Sequence, residues 1–389
     1  MRTRFILSAS LLAITSACST DSSSTAPNAV QDSQLTVAEL DARRGNDQGG
    51  AVYVLSNDVN ANAVLVYPRA RDGRLGAPTS VPTGGKGTGR GLGNQYGLVL
   101  DEEGEMLFGV DAGSDEISAF NVERGAVSQT ARVASGGSQP ISIAVHNHLL
   151  YVLNDGATAN ITGFRISERG RLTPLSGSTR ARSAPAGAVD GAQISFSPDG
   201  RSLVVTEKAA NLIVTYPVLP NGRTGSPVVQ RSSGATPFGF DFTRNGTLIV
   251  SEAVGGGAGL STVSSYTLER NAALSLVSAS VPDGQSAVCW ITVSSDGRTA
   301  YASNTASSNV SSYAVKRSGA LTLSEAVAGF TGAGSGPTDM ALSDKDRFLY
   351  VRSGGTNTIT IFETAIDGRL SLLETVTGLP VGANGLAAR

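Results

Sequence analysis

From Gly50 onward, apolar stretches of about six residues alternate with short polar turns, and within each stretch apolar and small or polar positions alternate. The segment ISFSPDGRSLVVTEKAANLIV, residues 194–214, shows the pattern: a strand, a tight turn, a second strand ending in a polar pair, then a third strand. Period-two alternation with β-branched content predicts strands rather than helices. Opening strands read YGLVLDEE, PISIAV, AQISFSPD, PFGFDFTR, CWITVSSD and TDMALSDK, and the turns after them EEGE, HNH, PDGR, RNGT, SDGR and DKDR. Gly, Asn or Asp in these turns supplies the positive φ that a tight hairpin needs. Second strands follow in LLYVLND, SLVVTEK and TLIVSEA, and third strands in ITGFRIS, NLIVTYP and TITIFET. A further turn such as PNGR or IDGR leads to a ragged fourth strand.

The unit repeats every roughly 44 to 52 residues, a period typical of propellers. Four strands per unit make one blade. The first unit, beginning AVYVLSND, lacks its opening strand, and the chain finishes in GANGLAA after the last unit is complete. An inner strand from Gly385 to Ala388 joining the blade begun at Ala51 closes the ring and removes open sheet edges. The predicted fold is all-β: a seven-bladed β-propeller of four-stranded blades. The hairpins of the SPDGR type fall on one face. The ends of the second strands and the linkers between blades fall on the other, where Asp111, Asn154, Glu207, Lys208, Glu252, Asn304 and Arg352 are expected to ring a central channel, the usual ligand site of this architecture.

Composition fits a folded chain with a large core: 389 residues, 47 Gly, 15 Pro and 16% charged residues. A net charge of −2 and the lack of a basic stripe with interleaved aromatics exclude a nucleic-acid binder. Residues 1–18 read as an export signal, with Arg2 and Arg4 before an apolar run too short to span a bilayer. Cys18 resembles a lipoprotein cleavage site, although Thr15 stands where that motif usually has Leu, so lipidation and ordinary cleavage both stay open. Residues 19–49 read as a flexible tether and 50–389 as the propeller. The expected location is periplasmic or extracellular, the expected state a monomer, and no transmembrane segment is expected. Cys289, beside the single Trp290, reads as a buried structural thiol.

The phrases SPDGRxLVV and the YV or VV strands ending in polar pairs resemble the seven-bladed lactonase family, which includes 6-phosphogluconolactonases and carboxymuconate cyclases. The resemblance covers about Gly50 to Arg389 and implies action on a lactone or a related small acid. It also implies inner-strand His and Arg in the channel, yet Pro140-Ile141-Ser142, Gly191-Ala192-Gln193, Pro237-Phe238-Gly239 and Pro337-Thr338-Asp339 stand in those places. Glu207 matches a family acid.

Lactone chemistry needs a base and a group to steady the oxyanion. Glu207 and Glu252 are the expected bases. Lys208, Asp111, Asn154, Gln193, Asn304 and Arg352 are the expected binding residues for a small-molecule ligand. The alternative is a non-catalytic propeller that binds a small ligand or protein through the same face. No cofactor is expected, although a ring of Asp, Asn and Glu oxygens suits a central Ca²⁺. His146 and His148 fall in a hairpin away from that face and lack a third metal ligand. GGKGTGRGLGN, residues 84–94, lacks the residues of a phosphate-binding loop and reads as a long, flexible connector into the second blade on the site face, the alternative being that Lys86 and Arg90 cover the channel and hold an anion.

Overall fold

The computed structural model describes residues 49–123, 125–157, 159–183 and 190–389. The export segment and nearly all of the tether lie outside them. The described chain forms seven antiparallel sheets, each a blade. Six blades are built from consecutive strands. The seventh, blade 1 here, is the split one: its inner strand Asn384–Ala388 pairs antiparallel with Gly50–Leu55. The expected closure therefore holds, with Arg69 Nε donating to the Arg389 carbonyl at 2.9 Å to fasten the joint.

The inner strands of blades 2 to 7 are Leu98–Leu100, Pro140–His146, Gly191–Phe196, Pro237–Phe242, Val288–Val293 and Pro337–Leu342. In blades 3 to 7 the register against the second strand slips within the first few inner-strand residues, between Pro140 and Ser142 in blade 3 and at matching places in the others. Such a bulge re-aims the residue that follows it. The third residues, Ser142, Gln193, Gly239, Trp290 and Asp339, are thereby equivalent. Blade 3 departs from the four-strand pattern, because its outer edge is broken into Leu172–Pro174 and Arg180–Ala181, both paired with Asn160–Ile166.

The core lies between neighbouring blades. The aromatic of the recurrent YV phrase, three residues before each second-strand end, is buried at Tyr53, Tyr151, Tyr301 and Tyr350. Tyr151 and Tyr350 donate their hydroxyls to carbonyls in outer turns, Gly222 and Gly73, at 2.8 and 2.9 Å. Those two rings bury apolar area while the one polar atom of each stays paired, whereas the buried Tyr53 hydroxyl has no partner among the described residues.

Candidate functional site

The second-strand ends form a sevenfold set: Ser56, Asp111, Asn154, Glu207, Glu252, Asn304 and Ser353, all buried. All but Ser353, whose hydroxyl has no partner among the described residues, bond the third strand or a linker beside their own blade. Glu252 Oε1 accepts from Ser232 Oγ, Gly234 N and Ser264 Oγ at 3.0, 2.6 and 2.8 Å, and Oε2 from Thr262 Oγ1 and Ser280 Oγ at 2.7 and 3.0 Å. Asp111 accepts from Asn62 Nδ2, Thr83 Oγ1 and Ser118 Oγ at 2.9, 2.6 and 2.7 Å, while burial pushes its pKa up. Asn154 donates to Asn160 Oδ1, and Asn304 to Asn309 Oδ1 and Ser311 Oγ.

Glu207 is bound by the hydroxyl of Ser183 and lies 3.4 Å from Arg182 Nε, in a buried cluster that also joins Arg182 to Asp155. Glu207 and Glu252, each expected as a base, are held inside their own blades. Both carboxylates are fully buried in separate blades, and a base needs a lone pair within reach of the attacking water. The polar residues are clamps because a strand end is where the ladder stops and backbone donors would otherwise be orphaned.

Arg352 and Gln193 are likewise occupied. Arg352 donates to the Ala383 and Thr338 carbonyls at 2.5 and 3.0 Å, bridging blades 7 and 1, and burial lowers its pKa to about 10. Gln193 spends both amide atoms on the backbone of Phe240, at 2.8 and 2.7 Å. Lys208 packs against the glycine-rich linker. Its ammonium donates to the Gly93 and Gly191 carbonyls at 2.6 and 2.9 Å, lies 3.1 Å from Asp190 and sits 4.8 Å above the Phe238 ring.

Gly93 belongs to the glycine-rich linker, and that linker fills the channel rather than covering it. Gln95 receives the Ser142 hydroxyl on its carbonyl at 2.7 Å and donates its N–H to Ala192 O at 3.0 Å. Its side chain crosses to blade 6, pairing with Ile291 O and N at 2.7 and 3.2 Å. Trp290 Nε1 donates to Asn94 O at 2.8 Å, and Asn94 Nδ2 donates to Ile141 O. A Cβ on Gly239 would lie 2.0 Å from Gln95 Oε1, so blade 5 yields its side chain to the plug. Three of the four places where the resemblance predicts His and Arg, those in blades 3, 4 and 5, are thus places that seat residues 93–96. Lys86 and Arg90, farther back in the linker, keep exposed side chains.

Below the plug the channel differs. The fifth inner-strand residues Ser195, Asp241, Thr292 and Ala341 of blades 4 to 7 are half-buried, with Ala144 of blade 3 buried, whereas the third residues Ser142, Gln193, Trp290 and Asp339 are buried. Tyr96, at φ 63°, turns from the plug towards Asp241, and the two side chains engage each other. Asp241 also accepts from Phe242 N and Val293 N at 2.7 and 2.8 Å. Burial, the dominant cause, raises its pKa to about 6. Asp339 is raised to about 7 by burial, with Arg352 pulling the other way. By register, these two are the acids that the third and fifth inner-strand positions present to the channel. Asp241 and Tyr96 escaped the reading of the sequence, although an acid inside the apolar run PFGFDF was a visible signal.

The remaining candidates are scattered. His146 lies 3.0 Å from Glu102 in the hairpin region, as expected for a position away from the linkers. Cys289 is buried and its thiol pKa is pushed up to about 11, which suits a structural thiol. Among the described residues no three His, Cys, Asp or Glu side chains come together in a metal-binding group. The clamp oxygens in particular are divided among separate blades. No described helix is long and apolar enough to cross a membrane.

Residues 20–255 and 258–384 match the family model described as "Lactonase, 7-bladed beta-propeller". A 6-phosphogluconolactonase from Serratia proteamaculans is 25% identical over 206 residues, covering 51% of this chain and 60% of that protein. The chain thus matches less than two thirds of that relative's length. The fold is shared with a candidate 6-phosphogluconolactonase of Bacteroides fragilis (TM-score 0.68, 19% identity, 88% of this chain and 98% of that one). It is shared also with the periplasmic gluconolactonase of Pseudomonas aeruginosa (TM-score 0.67, 20% identity, 86% and 98%). With nearly the whole propeller inside the matched segments, and seven blades as that description requires, this chain belongs to the seven-bladed β-propeller lactonase family.

Proposed function

We propose that the protein hydrolyses a lactone of a small hydroxy acid, such as a sugar acid, in the half of the channel below the plug, with Asp241 as general base. The observation that carries this is a carboxylate on the channel wall of a lactonase-family propeller, half-buried and with a pKa near 6, ionised at neutral pH yet basic enough to take a proton. Asp241 removes a proton from water as its oxygen bonds to the lactone carbonyl carbon. The ring C–O bond then breaks, and the leaving alkoxide takes that proton back, giving the open hydroxy acid. Thr292 and Ser195, at equivalent positions on the flanking inner strands, offer hydroxyls to the carbonyl oxygen as charge develops there. The substrate is a lone small molecule reached from the hairpin face. Export of a monomer, free or lipid-anchored at Cys18, fits the N-terminal sequence and the periplasmic location named for the Pseudomonas structure.

The test is hydrolysis of a lactone panel, phosphorylated and not, by the wild type and by Asp241→Asn, Tyr96→Phe and Glu207→Gln. Asp241→Asn should lower kcat/KM by about 10²-fold or more. Glu207→Gln should leave the rate per folded molecule unchanged. Equal rates for wild type and Asp241→Asn, or none above buffer, would remove the proposal. A second reading, a non-catalytic propeller that binds a small ligand or a protein, is favoured by the plug, which seals the linker side where the resemblance implies the reaction. Ligand binding without turnover in the same panel would select it.

A further inference from the structure

On the hairpin face, the turns of blades 4, 5 and 6 enclose a cleft of about 470 Å³. Four arginines line it: Arg201 from blade 4, Arg244 and Arg270 from blade 5, and Arg317 from blade 6, against two acids, Asp199 and Glu269. Arg201 is partly engaged by Asp199, at 3.7 Å. The other three guanidinium groups have no partner among the described residues, although the whole chain carries a net charge of −2.

These arginines are not needed to build their turns. Asp199 Oδ1 accepts from Arg201 N, Asn271 Oδ1 from Ala273 N, and Thr243 Oγ1 donates to Asn245 Oδ1, so the turns are held by acids and amides. Asn245 Nδ2 donates to the Arg317 carbonyl at 3.4 Å, tying the inner hairpin of blade 5 to the outer turn of blade 6 and fixing one wall of the cleft. A single exposed ion pair contributes little, but several planar forks on fixed turns can grip a ligand with more than one oxyanion.

We propose that this cleft is a binding site for a small polyanion carrying two or more carboxylate or phosphate groups, held by Arg244, Arg270 and Arg317. The site is separate from the channel acids and independent of whether they hydrolyse a lactone. Binding should weaken as salt rises, because exposed charges are screened within about 8 Å at physiological ionic strength.

The experiment is calorimetric titration of the full chain with citrate and, separately, with tripolyphosphate at low salt. The same titrations are run on Arg244→Gln/Arg270→Gln/Arg317→Gln, and on Arg74→Gln/Arg169→Gln as a control for general surface charge. Saturable binding that falls at least tenfold in the triple variant and persists in the control supports the site. Citrate alone then identifies carboxylates and tripolyphosphate alone phosphates. Absence of saturable binding for both probes, or equal loss in the control, overturns it. Unchanged thermal unfolding of the triple variant separates lost binding from lost fold, and if it unfolds, the single Arg317→Gln variant must show the weakening instead.

Discussion

The upper and lower halves of the channel are built from the same seven inner strands and have opposite characters. In the upper half, third-position residues close on the plug: Ser142 and Trp290 bond it, and Gly239 makes room for it. In the lower half, the fifth-position residues of blades 4 to 7 remain partly exposed and include Asp241. A bulged strand makes this possible, since one face of each strand serves two rings at different depths. A family scaffold can thus fill one ring with its own backbone and leave the other for chemistry.

The strongest way to break the contrast is to overpack each ring. Gly239→Val should destabilise by about 3 kcal/mol, because its Cβ would collide with Gln95 and with the Cys289 carbonyl, whereas Ala341→Val in the lower ring should change little. Urea unfolding midpoints measure both. If the two substitutions shift the midpoint equally, the halves are not different in packing. Next is Gln95→Ala, which leaves the N–H and C=O of Ile291 without their partner; a loss of about 2 kcal/mol is expected, with faster amide exchange at Ile291. Lys208→Met should remove about 1 kcal/mol and expose the linker around Gly93 to protease, leaving the fold intact.

The smallest effect is one of pH. Asp241 and Asp339 hold protons more tightly when folded than an unfolded carboxyl does. Between the ordinary carboxyl pKa near 4 and the folded values of about 6 and 7, the native state binds more protons than the unfolded state, so their contribution to stability declines as pH rises through that window. Asp241→Asn should flatten the lower part of the decline in thermal unfolding between pH 4 and 7. A profile steepened by that substitution would contradict the assignment. Lactone hydrolysis should run the other way, rising as Asp241 ionises near pH 6.

Much of the architecture was legible because it is repetitive. Seven copies of strand, turn and strand average out local ambiguity, and GANGLAA could be matched to the strand missing before AVYVLSND. The site was less legible. Glu207 and Glu252 stand where the geometry of a blade puts the linker face, yet a residue at a strand end can turn inward to its own sheet as readily as to the axis. Only the placement of Ser183, Ser232 and Ser264 decides which. The plug was hidden for another reason: GLGNQYG has no periodicity, and its bonds are to backbone atoms roughly 50, 100 and 200 residues away, which no local pattern records. In blades 3, 4 and 5 the places where the resemblance implies His or Arg hold the linker instead.

The pairing of Gly50–Leu55 with Asn384–Ala388 also sets the order of events during synthesis. The first strand of the propeller must wait, with one edge unpaired, until the strand that completes its blade has been made. Across the intervening stretch of roughly 330 residues the delay is about 15 to 70 s at 5–20 residues/s. A nascent ring of this kind is an open sheet with a sticky end for most of its manufacture, and the final closure is a contact of very long sequence separation, slow by topology alone.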